Sequence, residues 1–160
     1  MKYRRLTIEE LKDMENEFVR FLVSNTVTAE DWEKIKEENP ERAEGLIEIF
    51  SDVVFDKILE KVKYIEHRNQ YDIKTFRCLD DKIELLGLKV SSVAGVDFTQ
   101  TQSAENMLAY LKNAPQGSVQ MYSAEKAYKN NNPKKEIFSM LENGGAISDG
   151  KIFEALLSLK

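Results

Sequence analysis

An α+β fold is what the sequence predicts, with an N-terminal helical layer around one long helix, a small mixed β-sheet and short C-terminal helices. Three observations carry that prediction. Residues 40–68 hold one glycine and, after Pro40, no proline, and Leu46, Phe50, Val53, Val54, Ile58, Val62 and Ile65 recur at steps of three and four. Two short runs rich in β-branched and leucine residues, 73–79 and 83–90, flank the polar pair Asp80-Asp81, as in a β-hairpin. Beyond Ser103, cap residues and short apolar periods alternate over brief intervals, the mark of short helices and strands.

Taken in order, the chain first offers Thr7-Ile8-Glu9-Glu10, a capping box in which the Thr7 hydroxyl accepts an N–H three residues on and Glu10 reaches back. A helix over residues 8–24 follows, with Leu11, Met14, Phe18, Phe21 and Leu22 on its buried face. Thr28 repeats the start signal, with Glu30 and Asp31 against the positive helix end and Trp32 and Ile35 as the apolar pair. Pro40 suits a first helical turn, where its missing N–H costs nothing. At about 1.5 Å per residue, the helix it opens would run roughly 40 Å, to residue 68. Phe55, Leu59 and Val62 carry its apolar arc past half the circumference, wider than one core requires. That excess makes Phe55, Leu59 and Val62 a candidate interface for a homodimer.

After Asn69 come the hairpin, a loop over 91–95 and a third short strand over 96–99. Ser103 caps a helix over 105–112, and residues 119–122 return to strand character. Strand, helix and strand within about 30 residues is the size of a crossover with parallel strands. Ser123 and Ala124 open a helical turn through Tyr128, Asn132-Pro133 starts a helix that Gly144-Gly145 ends, and Ser148 caps the last one. One domain over 1–160 is expected, helical over 1–69 and mixed over 70–160.

Bulk properties narrow the function classes. Lys and Arg number 23 against 28 Asp and Glu, a formal net charge of −5. Residues 1–69 hold 12 basic and 17 acidic side chains, and residues 70–160 hold 11 of each. Such a balance lacks the broad basic footprint of a nucleic-acid-binding domain. The single cysteine, Cys78, excludes an intramolecular disulfide and suits a reducing compartment. No apolar core of a signal peptide follows the charged N-terminus, and no stretch reaches the ~20 apolar residues of a membrane-spanning helix. A cytoplasmic protein is expected, without membrane attachment.

The string TAEDWEKIKEENPERAEGLIEIFSDVVFDKILEKVKYIEHR, with SDG before the last helix, resembles a family of small uncharacterised cytoplasmic proteins from Bacteroidota. The resemblance implies bacterial origin and a domain of unknown function, and it brings no site residues.

No cluster in the sequence carries a known chemistry, so no catalytic residue, metal ligand or cofactor is assigned. His67 reads as a cation at a helix C-terminus, Cys78 as a buried strand residue, and Asp80-Asp81 as turn formers. One patch stands out: Tyr122, Lys126, Tyr128, Lys129, Lys134 and Lys135 interleave aromatic rings with positive charge in an otherwise acidic chain. The first expectation is a non-enzymatic interaction or regulatory module, with a protein partner or a second copy of itself. The alternative is a weak binder of RNA or a phosphate ligand through residues 122–135.

Overall fold

The computed structural model describes residues 1–92, 95–100 and 103–160. The chain divides into two compact units, Met1–Glu60 and Lys61–Lys160.

The first unit is helical. Its elements are α1 (Ile8–Asp13), α2 (Glu15–Ser24), α3 (Ala29–Glu38) and α4 (Pro40–Lys61), whose last residue enters the second unit. The expected capping box forms, with Thr7 Oγ1 accepting the Glu10 N–H at 3.1 Å while Glu10 accepts the Thr7 N–H, and the expected helix start at Thr28 proves to be a second one, with Asp31 as its partner. The helix expected over 8–24 is two, because Met14 leaves helical geometry at φ −110°, ψ 25°. The core is aromatic. Phe50 lies 5.0 Å from Phe18 and 5.3 Å from Phe21 between ring centroids, and Trp32 meets Phe18 edge-on at 5.1 Å. Ser51, fully buried, donates to the Ile47 carbonyl at 2.7 Å and accepts the Leu6 N–H at 3.0 Å, which ties the N-terminal segment to α4.

The buried face of α4 is rotated from the one the spacing suggests. Ala43, Ile47, Phe50, Ser51 and Val54 are covered, whereas Val53 and Ile58 are 37% and 40% exposed. The candidate interface also changes character. Leu59 and Val62 are only 3% and 6% exposed within the chain itself. Phe55 is half-buried, with the Arg4 guanidinium 4.9 Å from its ring centre and the Tyr3 ring 5.9 Å away. Leu59 and Val62 are thus covered within the chain and Phe55 is half-buried, so these three residues do not form an open apolar surface.

The second unit holds a five-stranded sheet, β1 (Tyr64–Asn69), β2 (Asp72–Cys78), β3 (Lys82–Val90), β4 (Val119–Ala127) and β5 (Ala146–Ser148), in the order β4-β3-β2-β1-β5. Helices α5 (Ala104–Asn113), α6 (Pro133–Glu142) and α7 (Lys151–Leu159) complete it. The α+β class holds. Every strand pair is antiparallel, however, so the sheet is not the mixed one expected. Four further expectations are corrected. The long helix stops at Lys61, and residues 64–69 are β1, which places His67 on a strand and not at a helix end. Residues 96–99 are not a strand: 96 and 97 are irregular and 98 and 99 lie in a turn, with Phe98 fully buried and its N–H on the Gln70 carbonyl; of the loop expected over 91–95, Val93 and Ala94 lie outside the described residues. Residues 123–127, whose Ala-Glu-Lys-Ala favours helix locally, continue β4 because all nine of its residues pair with β3. The last helix is preceded by Gly150 in a left-handed conformation, and Ser148 accepts the Gly150 N–H rather than capping the helix.

Alternation along the strands gives the sheet two unlike faces. One buries Ile73, Leu86, Leu88 and Val90 against Phe98, Met107 of α5, and Ile152, Phe153 and Leu156 of α7. The register places Ile65, His67, Asn69, Asp72, Lys74 and Phe76 together on the other face, with Gly87 and Lys89 of β3 and Tyr122 and Lys126 of β4 beside them.

Candidate functional site

That second face is only partly covered. Asn132 caps α6 by accepting the Lys135 N–H, and Pro133 takes the first helical position. At the other end, Gly144 with φ +100° and the Gly145 N–H on the Met140 carbonyl (3.0 Å) close the helix in a Schellman arrangement, as the Gly-Gly pair predicts. Both glycines have a second role. A Cβ on Gly144 would lie 3.0 Å from His67 Nε2, and one on Gly145 would lie 2.9 Å from Ile65 Cγ2. The absence of side chains there lets the end of α6 approach β1.

Between α6 and the strands lies a cleft of about 450 Å³. Ile65, Phe76 and Met140 give it an apolar lining. Around them stand His67 and Lys74, which are opposite each other in the β1–β2 register, together with Asn69, Lys126, Ser139 and Asn143. Lys126 of β4 pairs with Glu136 of α6, and Glu136 also accepts the Lys129 N–H at 3.3 Å. Asn69 and Lys74 line a second, polar hollow of about 500 Å³ as well, together with Asp72, Lys89, Gln120 and Tyr122.

The polar hollow is organised by one carboxylate. Asp72 is buried, and it accepts the Tyr122 hydroxyl on one oxygen and Lys74 Nζ at 2.6 Å on the other. Burial alone would raise the Asp72 carboxyl, but the bonds from Lys74 and Tyr122 outweigh it and hold it below the usual carboxylate range. The Asp72 bond in turn raises Lys74, so the ammonium stays charged. Burial, reinforced by Asp72, raises the Tyr122 phenol. The Tyr122 ring lies flat across Gly87, where a Cβ would come within 2.1 Å of it, and Lys74 Nζ sits 5.6 Å from the ring centre.

The residues of the basic patch are spread over β4, α6 and the segment between them. Lys126 and Tyr122 belong to the sheet face just described. Tyr128 is buried and donates to the Leu79 carbonyl at 2.7 Å. Lys129 starts a short 3₁₀ turn, and Lys134 and Lys135 lie in the first turn of α6. Cys78 is buried as expected, and burial pushes its thiol up to about 11, with a partly opposing contribution from the Tyr128 hydroxyl. It should resist a disulfide reagent at pH 8 in the native protein and react within seconds in denaturant. Fast native labelling would contradict this burial. His67 is no base for it, since Cys78 lies four positions along β2 from Lys74, the partner of His67, about 13 Å along the strand.

Spacing alone did not bring His67, Asn69, Lys74, Phe76 and Met140 together. The available signal was the alternation of residues 64–69 once they are taken as a strand. Among the described residues, no group of three or more His, Cys, Asp or Glu side chains is placed to hold a metal ion, and no helix is long and apolar enough to cross a membrane. In comparisons with known proteins, residues 1–160 match a family model described as a family of unknown function, DUF6495. No curated protein and no solved structure matches the chain.

Proposed function

The chain belongs to that family of unknown function, and we propose that it is a non-enzymatic binding module whose small-molecule ligand occupies the cleft between α6 and strands β1 and β2. The observation behind this reading is the joining of an apolar lining, Ile65, Phe76 and Met140, with a ring of polar groups that includes His67, Lys74 and Lys126. Concave sites that bind small organic molecules combine these two features at volumes of this order. A regulatory role follows if occupancy alters how α6 sits on the sheet. A bacterial, cytoplasmic setting fits the lone buried Cys78 and the resemblance to proteins of Bacteroidota.

N-phenyl-1-naphthylamine, an uncharged fluorescent amine, tests the cleft. It should bind saturably, and amide shifts in two-dimensional NMR should concentrate in β1, β2 and α6. Ser139→Trp, which fills the cleft from an exposed position on α6, should weaken that binding at least about tenfold. No saturable binding sinks the reading. So do shifts confined to the helical groove lined by Met14, Phe21, Val53 and Ile58.

A further inference from the structure

We infer that the ligand of this cleft is an organic anion: an apolar body lies against Ile65, Phe76 and Met140, and its acidic group is received by Lys74 and Lys126. The inference rests on the binding reading above and adds the chemical class. It follows from the hydrogen-bonding inventory of the sheet face. Two carboxylates stand there, and both are engaged. Asp72 accepts from Tyr122 on one oxygen and from Lys74 on the other. Glu136 accepts Lys126 on one oxygen and the Lys129 N–H on the other. Both carboxylates of the site are thus already serving the protein.

The donors are not used up in the same way. An ammonium has three N–H groups; Asp72 and the Tyr122 hydroxyl engage two on Lys74, and Glu136 engages one on Lys126, so each lysine keeps at least one to give. Both lysines line the cleft. The Asn143 amide is spent within α6, donating to the Ser139 carbonyl at 2.7 Å and to Ser139 Oγ at 3.3 Å, but Asn69 brings a further side-chain amide to the wall and Lys89 adds a positive charge to the adjoining hollow. Counting Lys74, Lys89 and Lys126 against Asp72 and Glu136 leaves one net positive charge on this face, in a chain whose total is −5. A surface with donors in excess is complementary to acceptors, and charge-assisted bonds to an anion are the stronger kind. Lys74 is already fixed by Asp72 and lies near the Tyr122 ring, so less side-chain freedom is lost when it receives a ligand. Because Lys74 lines both hollows, the acidic group sits where they meet, with the apolar body directed toward Met140.

The test pairs two fluorophores on one ring frame, neutral N-phenyl-1-naphthylamine and its sulfonate, 8-anilinonaphthalene-1-sulfonate. The natural protein should bind the sulfonate about tenfold more tightly, the scale of one charge-assisted bond at a partly open site. In the variant carrying both Lys74→Gln and Lys126→Gln, the two affinities should converge through loss of the sulfonate's advantage. Should Lys74→Gln disturb the sheet by circular dichroism, Lys126→Gln alone, at an exposed position, should narrow the sulfonate preference without abolishing it. Equal affinities in the natural protein, or a sulfonate preference that survives the double substitution or is undiminished by the single one, overturn the anion inference and leave the cleft reading standing. Binding of neither fluorophore removes the cleft reading itself.

Discussion

Phe50→Ala is expected to destabilise the protein by about 3–5 kcal/mol, the usual cost of emptying a buried aromatic site. Phe50 is 3% exposed, its ring is bracketed by Phe18 and Phe21, and Leu6 and Val54 share its cluster. Those neighbours come from the N-terminal segment, α2 and α4, so the cavity cannot close by moving one side chain. Val53→Ala is the natural comparison. The spacing of the sequence puts both residues on one face, but Val53 is 37% exposed and should cost under about 0.5 kcal/mol. Urea unfolding followed by fluorescence of Trp32, the sole tryptophan and an edge-on neighbour of Phe18, reads both variants. Similar costs for the two would mean that the buried face of α4 lies where periodicity alone puts it.

The same comparison shows what was legible from the sequence and what was not. Helix starts were legible wherever the signal is a side chain bonded to its own turn, as at Thr7, Thr28, Ser103 and Asn132. The hairpin about Asp80-Asp81 was legible because two β-rich runs flank it. The end of α4 was not. No glycine or proline lies between Lys61 and Gly87, and Ile58, Val62 and Ile65 continue the steps of three and four by coincidence. Over 64–69 the alternative period of two is equally present, with Ile65, His67 and Asn69 on one side and Tyr64, Glu66 and Arg68 on the other. Pairing with β2 and β5 decides between them, and pairing is not local.

The candidate site was hidden for the same reason. His67 and Lys74 are seven positions apart in sequence and opposite each other in space only because the β1–β2 connection is two residues long. Lys126 joins them only if residues 123–127 are strand, against the helical preference of that segment. Tyr122 stands out in the sequence only for its company of lysines. Its place is explained instead by Gly87, the one residue on β3 that leaves room for a ring to lie across the strand, and by Asp72, which takes its hydroxyl.

Gly150→Ala is the second large effect, and it comes from the SDG segment before α7. Gly150 sits at φ +81°, ψ 0°, a conformation that costs an L-residue about 1–2 kcal/mol. It is also crowded. An added Cβ would lie 2.4 Å from Tyr64 Cδ2 and 2.6 Å from Cγ, the root of the ring and not a movable tip. Tyr64 cannot easily swing away, because its hydroxyl donates to Glu154 at 2.8 Å and its ring packs on Phe153 at 5.9 Å. Forcing an atom into such a contact adds about 1–3 kcal/mol, so the total should reach about 2–5 kcal/mol. Gly117 isolates the contact from the backbone strain. Its φ of +79° is nearly the same, but no atom lies within 4 Å of where its Cβ would stand. Gly117→Ala should therefore cost only the backbone part, about 1–2 kcal/mol. Urea unfolding of both variants, followed by far-ultraviolet circular dichroism, measures the difference. A matching loss at the two glycines would show that the Tyr64 ring does not close over Gly150, and with it would go the packing that joins the start of β1 to the start of α7.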